Sequence, residues 1–187
     1  TYFADRIVVD TIYDIGLTPN RSDATGHLGV AFDLAAALQT QDPTTAPLQR
    51  PDVSAFAIEQ TTLTPSVTIE QTAQCTRYAG VCLTGITVQD SPEWLQQRLK
   101  AIGLTPKNNI VDITNFVLHE LGQPLHAFDY DKIGGGGIVV KNLSQDTPFT
   151  SLDGTERQLH QDDLVICDAE GNGLCIAGVF GWAHSGV

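Results

Sequence analysis

The stretch from Asn108 to Asp129, NNIVDITNFVLHELGQPLHAFD, constrains the fold more than any other part of the chain. Ile110, Ile113, Phe116, Val117 and Leu121 recur at helical spacing, which predicts a helix with one buried face. Gly122 and Pro124 follow as the stop signal just past its end. The same helix carries Asp112, Thr114, Asn115, His119 and Glu120, all polar, and the turn after it delivers His126 and Asp129.

Either side of this stretch the pattern changes. Ile7 to Leu17 alternates and is rich in Ile, Val and Tyr, predicting a strand. Thr18 to Asp23 reads as a turn, with Ser22 or Asp23 expected to cap a helix through Leu28, Phe32, Ala35, Ala36 and Leu38. Arg21 can be read as a phosphate contact or as an arginine tying this turn to a carboxylate. Thr40 to Pro51 is polar and proline-bearing, the best linker candidate, and a module boundary is placed near residue 45. Phe56 to Glu70 and Thr76 to Val88 read as strands, the second with glycine irregularities. Ser91-Pro92-Glu93-Trp94 predicts a helix start with Ser91 as cap and Trp94, Leu95, Leu99 and Ile102 as the apolar face.

Gly134 to Gly137 lacks the Lys-Ser/Thr of a phosphate-binding loop and precedes a strand, Ile138 to Val140, so it reads as a flexible lead-in. Asp153-Gly154 marks a tight hairpin between Phe149–Leu152 and Arg157–Leu159. Leu164 to Cys167 and Leu174 to Phe180 are two more expected strands. The second half is strand-rich with a few helices, so the class is α+β or mixed.

At 187 residues the chain can bury a real core, and 42% apolar content suits an ordinary soluble protein. No apolar run approaches the ~20 residues of a membrane span, and no signal-peptide pattern opens the chain. It begins at Thr1 and contains no methionine, which reads as a fragment of a longer polypeptide or a chain whose modified methionines are missing from the sequence. Cys75, Cys82, Cys167 and Cys175 form no Cys-x-x-Cys pair and read as reduced thiols of a cytosolic protein. A net charge of −12 with ten basic residues argues against broad nucleic-acid binding.

Three constellations could carry chemistry. Thr114, Asn115 and His126 offer a hydroxyl, an amide and an imidazole that could hold an ester carbonyl and orient a water. On spacing alone, the favoured reading is that Asn115 and His126 only satisfy backbone groups around the turn. His119, Glu120, His126 and Asp129 lack the spacing that puts two ligands on one helix face, so a metal site is disfavoured. A cysteine nucleophile beside His184 or His160 has no local signature.

The wording NNxVDxTNxVxxELGQPLHAFD resembles the hallmark of the editing domain in the beta subunit of bacterial phenylalanyl-tRNA synthetase. Leu17 to Arg21, His27 to Ala31 and Ile176 to Gly181 agree with it, so the resemblance covers nearly the whole chain. It implies an α+β fold of mixed sheets in β-sandwich-like layers with a few packed helices. Residues 1–45 would end a preceding small domain, and residues 46–187 would form an editing domain truncated at its C-terminal side. The implied activity is hydrolysis of misacylated tyrosyl-tRNA(Phe), which keeps phenylalanyl-tRNA synthesis accurate.

His126, Asn115 and Thr114 match the family's pocket residues, with Gly178, Gly181 and Ala127 on the substrate side. A small residue at the glycine positions leaves room for a tyrosyl ring. The family's hydroxyl-recognising Glu and its Thr-x-Ala segment match positions beyond Val187, so the implied site is incomplete within these residues. The family has a second glycine after Gly181 where this chain has Trp182, while His184-Ser185-Gly186-Val187 keeps the pattern.

No cofactor is implied for this region; ATP and magnesium would serve the parent enzyme, a cytoplasmic heterotetramer of two alpha and two beta subunits with its synthetic site in alpha. The implied partners are the alpha subunit and the tRNA(Phe) acceptor end, with no membrane. The alternative is a non-catalytic module that docks the acceptor end or a partner subunit.

Overall fold

The computed structural model describes residues 11–152 and 154–181, with Phe180 described by its backbone alone. The chain falls into two compact units, each made of two segments: Thr1–Pro51 with Val88–Leu125, and Asp52–Thr87 with His126–Val187. The first crossing lies at the end of the polar, proline-bearing stretch. Nothing in composition announces the return of 88–125 to the first unit.

The described part of the first unit is helical. A turn at Thr18 leads into a 3-10 helix, Ser22–Ala24, and then into α1, His27–Gln41. Arg21 is bound to two carboxylates, Asp23 through Nε and Nη2 at 2.9 Å each and Asp33 at 2.7 Å. The tie to Arg21 holds the Asp23 carboxyl below its usual range. Neither Ser22 nor Asp23 caps α1. Its N-cap is Gly26, with no side-chain bond, because the intervening 3-10 turn displaces the helix start.

The second helix, α2, spans Glu93–Ala101 and buries Leu95 and Leu99, while Trp94 and Ile102 of its expected apolar face stay exposed. Trp94 meets Phe116 edge to face, ring centroids 5.6 Å apart. The third, α3, spans Asn109–Leu121. The Asn108 side chain caps it by accepting from the Ile110 and Val111 amides, and Gly122 ends it in the left-handed conformation at φ 76°.

Its apolar stripe is not cleanly buried: Ile113 and Leu121 are exposed, and Asp112 is the residue fully withdrawn from solvent. Asp112 receives the Ser91 hydroxyl at 2.6 Å and the Lys107 amide at 2.8 Å. Ser91 is therefore spent on Asp112, and Pro92 takes the N-cap position of α2 that Ser91 was expected to fill.

The second unit is built on a five-stranded sheet in the order β1-β2-β5-β6-β7. The strands are β1 Ser66–Ile69, β2 Gly137–Asn142, β5 Leu164–Asp168, β6 Gly173–Ile176 and β7 Phe180–Gly181. The pair β1 and β2 is parallel and the others are antiparallel. Strands β3, Pro148–Thr150, and β4, Glu156–Gln158, form a separate hairpin. Gly154 lies in its loop at φ 77°, and Asp153 is outside the described residues.

Alternation along β2 and β5 gives the sheet two apolar faces. Ile138, Val140, Ile166, Leu174 and Cys175 pack together on one, joined by Phe128, Ile133, Cys75 and Tyr78. Val165 and Cys167 pack with Phe149 and Leu159 in a second cluster that includes Val139 and Ile176. Helices and mixed strands together make an α+β fold.

Several expected strands are absent or shorter. Residues 11–17 carry none, with Ile12 and Tyr13 exposed; residues 7–10 lie outside the described part. Of Phe56 to Glu70 only β1 forms. Thr76 to Val88 has no ladder partner among the described residues, and Gly85 takes φ 70°, so Val81, Leu83, Ile86 and Val88 stay exposed. The run from Leu174 to Phe180 splits into β6 and β7 at a turn through Gly178, φ 73°. The glycine run is a 3-10 turn ahead of β2, and the Gly134 amide donates to buried Asp168 at 3.2 Å. Among the described residues no helix is long and apolar enough to cross a membrane.

Candidate functional site

The expected site residues divide between the units: Thr114 and Asn115 in the first, His126, Ala127, Gly178 and Gly181 in the second.

On α3, the Thr114 hydroxyl donates to the Val111 carbonyl at 2.7 Å, so its proton is spent on the helix and its lone pairs remain to accept. Asn115 follows it, half-buried, and its carboxamide makes no hydrogen bond with any described residue. His119 also lies on α3, but its carbonyl accepts from Nδ1 of His27 at 2.8 Å; since a carbonyl only accepts, His27 carries its proton on Nδ1. That contact is architecture within the helical unit.

In the second unit, His126 lies against the backbone of Gly181. A Cβ placed on Gly181 would stand 2.8 Å from His126 Cε1, 3.3 Å from its Nε2 and 2.9 Å from Leu152 Cδ1. The missing side chain is thus the space that the imidazole borders. Strand β7 is held there partly by the Leu152 amide, which donates to the Gly181 carbonyl at 3.1 Å. Phe128 bounds the ring as well, centroids 4.5 Å apart and planes at 58°. The His126 nitrogens bond no described residue, although part of the side chain is open to solvent. Burial of the rest of the ring holds its pKa below the ordinary 6.5, so the imidazole is neutral near pH 7.

Ala127, half-buried, lies between His126 and Phe128 in the chain. Gly178 is a different case from Gly181: nothing lies within 4 Å of its Cβ position, and it is required by the positive φ of the turn. Trp182 and His184 lie outside the described residues. Among the described residues no cluster of His, Cys, Asp and Glu could hold a metal ion. His160 makes its bonds with Asp162 and Asp163, on the same turn, and burial pushes the Cys167 and Cys175 thiols up to about 11, away from nucleophilic character.

The sequence reading did not single out Phe128 and Leu152. The apolar residue two places after His126 was the available signal for the first. For Leu152 there was none, since its place beside β7 follows from sheet pairing.

Residues 74–187 match the family model of the B3/4 domain, which is more than half of the chain. The chain belongs to the B3/4 domain family. Within that family, it is 52% identical over 177 residues to the phenylalanine-tRNA ligase beta subunit of Bacteroides fragilis, covering 95% of this chain and 21% of that protein. Identity is 50% over 181 residues to the beta subunit of Bacteroides thetaiotaomicron, 97% of this chain and 22% of that one. The beta subunit of Porphyromonas gingivalis is 50% identical over 178 residues, 95% of this chain and 22% of its own length. The chain spans about a fifth of the length of these curated relatives and matches one stretch of each. The B3/4 match takes in α3, the whole sheet unit from Gln74 onward, and every site residue named above.

Proposed function

We propose that this B3/4 region is the editing module of a phenylalanine-tRNA ligase beta subunit, and that it hydrolyses the ester of tyrosyl-tRNA(Phe). The observation that carries the reading is His126: an imidazole neutral near pH 7, bonded to no described residue and partly open to solvent, against a glycine that leaves space for it. A histidine kept only to satisfy the backbone around its turn would have such a bond. This one, with no described partner, can accept a proton from water.

In the proposed step, water bonded to an imidazole nitrogen attacks the ester carbonyl carbon while the ring takes the water proton. The tetrahedral intermediate collapses, the ribose oxygen leaves with that proton, and tyrosine is released. The Asn115 carboxamide, bonded to no described residue, can donate to a carbonyl oxygen, and Thr114 can accept a hydrogen bond. Their roles beside the substrate rest on the sequence resemblance. No cofactor is assigned to this region. ATP and magnesium would act at the synthetic site of the alpha subunit, the expected partner, and the tRNA acceptor end would bring the ester.

Such a module has a physical reason to exist. A hydrophobic site that holds phenylalanine rejects an added hydroxyl by only about a hundredfold in analogous cases. A second site that pairs the hydroxyl can invert the selection. The test is deacylation of tyrosyl-tRNA(Phe) by the whole ligase carrying His126→Ala in its beta subunit. Release should slow by about 10²-fold or more. An unchanged rate removes the role given to His126, and wild-type enzyme that binds the mischarged tRNA without releasing tyrosine would mark a docking module.

A further inference from the structure

We infer that Phe128 is the positioning residue for His126, orienting the imidazole by ring packing where a hydrogen-bonded partner would ordinarily do so. The inference rests on the hydrolytic reading of His126 and deepens it.

A catalytic histidine usually has one ring nitrogen held by a carboxylate or a carbonyl, which fixes both tautomer and orientation. No described residue does this for His126, so the ring is oriented by what packs against it. The Phe128 ring and the Gly181 backbone lie against it, and Leu152 borders the same Cβ space on Gly181. Phe128 alone among these also packs on the sheet core of Ile138, Val140, Ile166, Leu174 and Cys175. Leu152 is exposed and has no such anchor. Phe128 therefore transmits the rigidity of the sheet to the imidazole. None of Phe128, Gly181 and Leu152 is titratable, and nearby Asp129 is turned toward its own loop, accepting from the Asp131 amide at 3.2 Å with Lys132 3.5 Å away. Among the described residues nothing takes either nitrogen, which leaves both to water and substrate.

The experiment uses the whole ligase with Phe128→Leu, Phe128→Met and Phe128→Tyr in the full-length beta subunit. Met is a second, more adaptable filler of the same core space, and Tyr keeps the ring. Two quantities are read: kcat and KM for deacylating tyrosyl-tRNA(Phe), and the pH midpoint of His126 carbethoxylation by diethyl pyrocarbonate, followed by peptide mass spectrometry. The second needs no catalytic turnover.

Leu and Met should lower kcat by about tenfold with KM within about twofold, and should move the midpoint up toward 6.5. Tyr should keep the wild-type midpoint and most of the rate. A wild-type midpoint in Leu or Met, or a Tyr variant that behaves like Leu, overturns the inference. A shifted midpoint in Leu and Met, in an enzyme whose His126→Ala form deacylates normally, upholds the positioning role and removes the hydrolytic one.

Discussion

The two ends of the stretch from Asn108 to Asp129 treat their polar side chains in opposite ways. At the first end Asn108 and Asp112 are used by the fold: Asn108 caps α3 through two amides, and Asp112 takes a hydroxyl and an amide in full burial. At the second end, in the other unit, His126 is placed by packing and bonds to no described residue. A polar side chain whose valences are filled by its own protein holds structure. One held in place with its valences open is available to a ligand. The sequence makes both ends look alike, and the hydrogen bonds separate them.

The sharpest way to break the comparison is Asp112→Ala. If Asp112 is structural, its loss leaves the Ser91 hydroxyl and the Lys107 amide without their acceptor inside the helical unit. Hydrogen bonds to a charged group carry about 1.5–3 kcal/mol each, so a loss of roughly 3 kcal/mol or more is expected in urea unfolding of this chain. An Asp112→Ala chain as stable as the parent would remove the structural half of the contrast. The same change should leave the carbethoxylation midpoint of His126 where it is.

Next in size is Gly181→Ala. The added methyl group would stand 2.8 Å from His126 Cε1 and 2.9 Å from Leu152 Cδ1, closer than side-chain carbons approach, so the imidazole must turn. A displacement near 1 Å costs about a hundredfold in a positioned reaction. Deacylation by the whole ligase should fall by about that factor. Gly178→Ala separates the two meanings of glycine: its Cβ meets open space, so its penalty comes from φ 73° alone and should appear in stability. Equal deacylation losses in both variants would show that the His126 seat has no special standing.

A smaller effect is expected at the cap. Asn108→Ala removes the acceptor for the Ile110 and Val111 amides, at 3.1 and 2.9 Å, and should cost about 1 kcal/mol of stability. Asn108→Asp keeps an acceptor and should recover most of it. A full loss with Asp would mean that the cap does not act through the oxygen.

Local signals were legible where the chain answers to itself. The helix from Asn109 to Leu121, its glycine stop, the hairpin around Gly154 and the strands at β2 and β5 all follow from periodicity and turn chemistry within a few residues. What stayed hidden depends on distant partners. Ser91 reads as a cap because nothing nearby reveals Asp112, twenty-one positions on. The run from Thr76 to Val88 reads as a strand because composition says nothing of whether a ladder partner exists. For the site, the motif supplied His126 and Gly181 separately, but not that the imidazole borders the space a Cβ would take on Gly181. Phe128 looked like one more apolar residue until it was found against both the imidazole and the sheet core.

The smallest expected effect is a titration, and it tests whether the open valences of His126 belong to a neutral ring. Burial lowers its pKa in the folded protein below the ordinary 6.5 that the unfolded chain shows. Above 6.5 both states hold the neutral imidazole, and the ring places no pH dependence on stability. As pH falls below 6.5 the unfolded chain takes up the proton first, so the folded state loses stability relative to it. The loss grows until the folded ring protonates as well, at its lower pKa, and then levels off. Because part of the side chain is in contact with solvent, the change should be slight. It should be missing from His126→Gln when urea unfolding of the two chains is compared between pH 7.5 and pH 5. On the proposed role of His126, the same shift should place the acidic limb of the deacylation profile of the whole ligase below 6.5. A limb above that value would require an acidic neighbour stabilising the imidazolium, and His126 would then resemble the bonded end of its stretch instead of standing against it.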